Sequence, residues 1–515
     1  MWLQPLDPLG YLASSALVAS SPIIMLVVAL CVFKVSAVKA AFLASISAFI
    51  VALLVYRAPF AVVLLSYLYG AAFGLWPIAW IVVNAMFLYR LSEETGSLED
   101  LRRWMESNLP NERSLVALFT ALLFGGLVEG VDGYGFPVAI TASLLSSLGL
   151  SPFKSVIVSL IANTVTVPFA SLGVPVATLA KVTGLELRGI CTQLSVQLTV
   201  YSVVISGLII ATTSGLRRLL KFLDVTLVAG LSMGLAVYVA SAYLDPNLSG
   251  VLAPLTSMVT TLGYLRVRGL RSESRVDLRT ALRGWLPWVL AVTILTGSSL
   301  ARAYTLVEMK LPIPGLHGEV KNPLYESVYQ AVYEWQLVAH GTLILAIALV
   351  LAFTAGLKFR SLLGLYVETW RRMGEAVAVI IQVLGASFLM NYSGLSLTLG
   401  YALSMSGPLF PMLSGFIGWL GTFVSGSVTG SNAFFGNLQR VSAELLGFPP
   451  VLAASLNSTG GIFGKIISLQ SVAVGASAVK LKQGEGEVVK TLLPYSLGLT
   501  LSLGVLAYLQ VWYQV

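Results

Sequence analysis

Two carboxylates, Glu129 and Asp132, and one ammonium, Lys465, stand in stretches that carry almost no other charge. A charge placed at bilayer depth costs about 2.5–3.5 kcal/mol or more, so it persists where it faces the inside of a helix bundle and serves a function. A carboxyl withdrawn from water binds a proton more readily. That suits Glu129 and Asp132 to proton or ion coupling in a chain whose only histidines are His317 and His340. Lys465 offers a counter-charge to a bound anion, or to Glu129 when no anion is present; the alternative is snorkelling to the interface. Asn163, Asn432 and Asn457 can donate to a bound carboxylate or hydroxyl, or can tie interrupted helices together. Ser427 and Gln470 offer the same donors, and Tyr134 offers either a phenol for a hydroxyl or a packing ring. The run Thr459–Ile466 has the wrong first and last residues for a phosphate-binding loop, so it implies no nucleotide site.

These residues sit in two segments of unusual composition. The first is Gly125-Gly-Leu-Val-Glu-Gly-Val-Asp-Gly-Tyr-Gly-Phe-Pro137, followed by Ile161-Ala-Asn-Thr-Val-Thr-Val-Pro168. The second is Phe423-Val-Ser-Gly-Ser-Val-Thr-Gly-Ser-Asn-Ala433, followed by Ser455 to Ser471. Glycine, proline and small polar residues at this density interrupt a helix. The segments echo each other: Gly130 matches Gly426 at an offset of 296, and Asn163 matches Asn457 at 294. Corresponding interrupted segments in two halves point to a transporter site, with half-helix N-termini aimed at an anion. Close packing of glycine-rich spans is the plainer alternative.

The rest of the chain is the scaffold for these segments. Of 515 residues, 57% are hydrophobic and 10% charged, and mean hydropathy is +0.87. A soluble domain is about 25% charged, so a soluble enzyme, a nucleic-acid binder and a disordered chain are excluded. Cys31 and Cys191 lie in apolar runs and read as free thiols, and the Cys/His supply is too small for a metal cluster. At about 20 residues per crossing, the pattern predicts an all-α polytopic membrane protein of about 12–14 membrane segments. Two inverted repeats with broken helices or re-entrant hairpins are expected within it. The halves are 1–224, with its repeat at about 114–212, and 225–515, with its repeat at about 374–479; no separate soluble domain is expected. The net charge of +8 sits in loops. Loops 214–224, 266–284 and 357–373 are basic and read as cytoplasmic, whereas 244–250, 302–336 and the N-terminus read as external.

The chain resembles the L-lactate permease family of secondary transporters. The resemblance rests on Gly74-Leu-Trp-Pro-Ile-Ala-Trp80, Phe87-Leu-Tyr89, Glu129-Gly130, Pro137-Val-Ala-Ile-Thr-Ala142 and Leu160-Ile-Ala-Asn-Thr164. It continues in order through Asn391-Tyr-Ser-Gly-Leu-Ser396, Gly418-Trp-Leu-Gly421, Thr459-Gly-Gly461, Gly464-Lys465 and Gln470-Ser471. It implies a cell-membrane symporter for L-lactate and related 2-hydroxy monocarboxylates such as glycolate, driven by protons and without a cofactor. The partners implied are that anion, protons or sodium, and the lipid bilayer; a homodimer is compatible and nucleic acid is not involved. Rival readings are a sodium-coupled organic-anion carrier and, more remotely, a membrane-embedded lipid-modifying enzyme. The latter would want an acidic metal cluster or a large catalytic loop, and the 302–336 insert has neither paired carboxylates nor a histidine cluster.

One departure from the family pattern is informative. Members typically carry Gly-Ser-Asp-Thr where this chain has Gly426-Ser-Val-Thr429, and small residues where it has Asp132. Asp132 and Val428 are equivalent on the 296 offset, so the second carboxylate has moved across the pseudo-twofold. Asp132→Ala is therefore expected to abolish coupled uptake, and adding Val428→Asp to restore part of it. Uptake by proteoliposomes reads both; an active single variant or a dead double variant refutes the exchange.

Overall fold

The structure is a computed structural model. It describes residues 1–515 except 34, 132, 134–135, 271–276, 302, 304–305, 325–327, 482–484 and 514–515. Asp132 and Tyr134 therefore lie outside the described residues. Among those described, nine helices are long and apolar enough to cross a membrane, and three bent pairs raise the number to as many as 12. The bent pairs, such as Pro152–Ala162 with Val167–Thr183 at 67°, have the form of broken spans or re-entrant loops.

Glycine and proline divide both halves in the same order. The first repeat runs α1 (Arg113–Val131), α2 (Phe136–Ser147), α3 (Pro152–Ala162), α4 (Ala170–Thr183) and α5 (Leu187–Ser214). The second runs α6 (Phe410–Ser425), α7 (Val428–Leu446), α8 (Pro450–Lys465), α9 (Leu469–Ala478) and α10 (Glu485–Tyr513). Gly133 and Gly426 break α1 from α2 and α6 from α7, at φ of +80° and +70°. Gly149 and Gly447, at +92° and +72°, end α2 and α7, and Pro152 and Pro450 then open α3 and α8. A left-handed glycine closes a helix without a Cβ clash, and proline at the first helical position sacrifices no hydrogen bond.

The repeats embrace reciprocally. A Cβ on Gly436 of α7 would meet Leu179, Val182 and Thr183 of α4, and one on Gly475 of α9 would meet Val138 of α2 and Val156 of α3. Each repeat thus lays its post-break helix on the other's hairpin, the self-complementary pattern that a twofold relation generates. The equivalent helices α5 and α10 run antiparallel: Gln197 donates to Gln510 at 3.2 Å, and Tyr201 reaches Ser502 at 3.0 Å. Antiparallel equivalents are the mark of inverted repeats.

Polar pairs sort the connections onto two faces. On one, Arg218 pairs with Glu112 at 3.2 Å, Arg268 with Asp224 at 3.1 Å and Arg283 with Asp100 at 3.6 Å. On the other, Trp2–Leu3 pairs in parallel with Val320–Lys321, and Glu308–Pro312 pairs antiparallel with Val332–Gln336. His340 meets Asp245 there at 3.0 Å. The N-terminus, the 244–250 turn and the long insert thus share the face expected to be external. One expectation changes: much of the 357–373 stretch read as a loop is helical. Phe359–Tyr392 is a single 34-residue helix that carries Arg371 and Arg372 within it. Its first turns project past the apolar core, where Glu368 bridges Arg372 at 2.6 Å and Arg90 at 2.9 Å.

Close packing explains part of the glycine content. A Cβ at Gly418 would overlap the Asn457 carbonyl, one at Gly460 the Gly415 carbonyl, and one at Gly464 the Trp419 carbonyl. Small residues let α6 and α8 touch along their backbones, as in membrane helix dimers, and so fix where α8 ends. Gly418→Ala is expected to destabilise the fold by about 1–3 kcal/mol through overpacking. Gly498→Ala on α10 faces open space and should be neutral or stabilising by up to about 1 kcal/mol. Thermal unfolding in detergent compares the two.

Candidate functional site

Three interrupted helices converge at one point. Glu129 lies in the last turn of α1, Asn163 caps the C-terminus of α3, and Lys465 is the last residue of α8. Lys465 Nζ donates to Glu129 Oε1 at 2.7 Å, and Asn163 Nδ2 donates to Glu129 Oε2 at 2.7 Å. Glu129 is 0% exposed and Lys465 7%. The lysine belongs where α8 stops, because unpaired carbonyls at a helix C-terminus favour a cation. The pair crosses the pseudo-twofold, with the carboxylate from the first repeat and the ammonium from the second. Breaking a buried pair leaves a charge without compensation, at about 3–5 kcal/mol.

Glu129 and Lys465 border a cavity of about 350 Å³. Its walls come from α4 at Ser171 and Pro175, from 425–430 at the start of α7, and from Gln470 and Ser471 at the start of α9. One side follows Phe359–Tyr392 from Leu384 out to exposed Arg372 and Glu375, toward the face of the basic loops. The break of the second repeat makes this wall electropositive. Ser427 caps α7 by accepting from the Gly430 amide at 3.1 Å, and Ser468 caps α9 by accepting from the Ser471 amide at 3.3 Å. The first-turn amides of a helix attract an anion. A Cβ on Gly426 would collide with Gln470, so this glycine lets the two N-termini approach.

The other sequence-derived candidates divide by position. Ser427 and Gln470 line the cavity. Asn432 and Asn457 are outside its lining and form a buried relay. Asn457 donates to Asn432 at 2.8 Å, Asn432 donates to the Pro175 carbonyl at 3.0 Å, and Gln439 donates to Asn457 at 2.6 Å. They tie α7 to α8 and α4. Sequence reasoning missed Gln439 and Ser414, which extend this relay; a glutamine inside an apolar helix was the available signal. It also missed Ser171 and Leu172, two non-glycine residues at φ of +47° and +57° beside the cavity. Left-handed backbone costs such residues about 1–2 kcal/mol each, and no local pattern announces it. The apolar wall from Met373 to Leu384 carried no signal, because those residues look like any other span. The assembled site can hold one small anion against Lys465 and the helix N-termini, with a protonatable carboxyl in contact.

Residues 15–513 match the family model described as L-lactate permease. The chain is 34% identical over 543 residues to the L-lactate permease of Escherichia coli (strain K12), covering 99% of this chain and 98% of that protein. It is 34% identical over 555 residues to the L-lactate permease of Bacillus subtilis (strain 168), again covering 99% and 98%. The glycolate permease GlcA of Escherichia coli (strain K12) is 32% identical over 551 residues, with 99% and 98% covered. With its many apolar helices, the chain is a multi-pass protein of the cell membrane and belongs to the L-lactate permease family.

Proposed function

We propose that this protein carries L-lactate and related small 2-hydroxy monocarboxylates such as glycolate into the cell, each anion accompanied by a proton. Relatives named as lactate and glycolate permeases support the substrate class, and a permease family supports a transporter over a membrane-embedded enzyme. The single observation that carries the coupling is the buried Lys465–Glu129 contact at 2.7 Å beside the cavity.

In the empty site Glu129 neutralises Lys465. An arriving carboxylate competes for the ammonium, and the first-turn amides of α7 and α9 take its other oxygen. Glu129 is then left as a buried charge without its partner. It takes a proton from the cavity. The empty site holds one cation and one anion; the loaded site holds one cation, the substrate anion and a neutral acid. The net charge is the same, so anion and proton cross together without charge movement. Ser427 and Gln470, on the same wall, are placed for the 2-hydroxyl, and Asn163 keeps Glu129 oriented in both states.

In proteoliposomes, lactate is expected to accumulate when the outside is made acid, and a sodium gradient at equal pH to have no effect. Accumulation with sodium alone refutes the proton reading and favours the sodium-coupled carrier. Glu129→Gln removes the protonatable group while keeping a partner for Lys465. It should retain lactate exchange between two lactate pools yet lose at least about tenfold in pH-driven accumulation. Lys465→Gln should lose both by about a hundredfold or more, in line with the loss of one partner of a buried pair. Pairing the exchange and accumulation assays separates loss of coupling from loss of binding.

A further inference from the structure

A second and larger cavity, about 680 Å³, lies on the opposite face beneath the insert that carries Tyr329 and Tyr333. It is built on the same two helices as the first. Helix α4 lines the inner cavity at Ser171, Val174 and Pro175 and the outer one at Ala177, Ala180 and Lys181. Helix α7 lines the inner cavity at Gly430 and Phe434 and the outer one at Asn437 and Arg440. The cavities are thus back to back, with about 9 Å of α4 between Pro175 and Lys181 at helical rise.

The charges in the outer cavity are unequal in availability. Arg440 is already engaged, with Nε on Glu444 at 2.8 Å and Nη1 on the Thr183 carbonyl. Glu334 is exposed on the insert. Lys181 is partly buried, with its Nζ 5.8 Å from the ring centroids of both Tyr69 and Phe73. Among the described residues it has no carboxylate within ion-pairing distance and no hydrogen bond. Glu334 acts on it only at longer range across the cavity, so an ammonium held against aromatic faces with no carboxylate in contact presents a site for a small anion. The rings beside it supply apolar surface of the size of a methyl or methylene group.

We propose that this outer cavity is a second binding site for the small monocarboxylate, with its carboxylate on Lys181 and its carbon chain on Tyr69 and Phe73. It would collect the anion on the external face before passage to Lys465. The proposal rests on the monocarboxylate reading of the protein. One conformation presents both cavities, so both sites can be filled at once.

Equilibrium dialysis of radiolabelled L-lactate against the purified full chain tests this directly. The wild type should bind two lactate ions per chain, and Lys181→Gln and Lys465→Gln one each. Lys181→Arg should restore the second, and Lys181→Gln should slow uptake from low external lactate about tenfold through loss of the collecting charge. One ion per chain in the wild type, or two in Lys181→Gln, overturns the outer site. Should Lys465→Gln fail to fold, the wild-type and Lys181→Gln counts still decide it. Two-site binding without any uptake refutes the transport reading and leaves the outer site standing, whereas a wild type that binds no lactate overturns both.

Discussion

The contact between Glu129 and Lys465 is the constraint on which the structure turns. Neither group is tolerable alone at this depth, because the interior cannot solvate an isolated charge. Each must be delivered to the other, and they come from opposite repeats, 336 residues apart in the chain. That demand explains why the helices carrying them stop where they do. Helix α8 could reach past the centre only by lying against α6 backbone to backbone, which Gly415, Gly418, Gly460 and Gly464 allow. Helix α1 reaches its position by a similar approach: a Cβ on Gly130 would overlap the Gly250 carbonyl.

Interrupting helices inside a bilayer exposes backbone groups that lipid cannot satisfy. Here those groups meet side chains and a cavity. Ser427 and Ser468 cap two of the new N-termini, Asn163 caps a C-terminus, and Asn432 takes up the Pro175 carbonyl. The starts of α7 and α9 line the same cavity as Lys465, so the interruption brings two helix N-termini to the charge pair. Inversion of the repeats gives the site its asymmetry. Equivalent hairpin helices end in Asn163 on one side and Lys465 on the other, and both grip the same carboxylate, one as a neutral donor and one as a cation.

Much of this was legible in the chain because the bilayer makes charge scarce and broken backbone conspicuous. Glu129, Lys465 and Asn163 stood out by type, and the Gly130/Gly426 echo pointed to repeats, although the glycine that breaks the first helix as Gly426 breaks α6 is Gly133, three residues on. Their mutual contact was not legible, since pairing 129 with 465 is a property of the fold rather than of either neighbourhood. The roles of Asn432 and Asn457 were open for the same reason: an amide can bind a ligand or a carbonyl, and only its surroundings decide. The basic stretch around Arg371 read as a loop because charge counts locate the membrane face but do not report whether the backbone is helical there.

The arrangement of the two cavities follows from the same repeat logic. Between them lies a short barrier where α4, α7 and Phe359–Tyr392 meet. It holds the Asn432–Pro175 contact and a hydrogen bond from Ser387 to the Ala433 carbonyl. These are single bonds from side chain to backbone, beside helix starts that already carry left-handed residues at Ser171, Leu172 and Gly173. A barrier of this kind is weaker than continuous helix, because few backbone hydrogen bonds must be lost to reshape it. Closer packing lies elsewhere: the α6–α8 glycine seam brings two backbones into contact, and Gln197 and Tyr201 link α5 to α10. The protein thus places left-handed backbone beside the inner cavity and a glycine seam behind the charge pair.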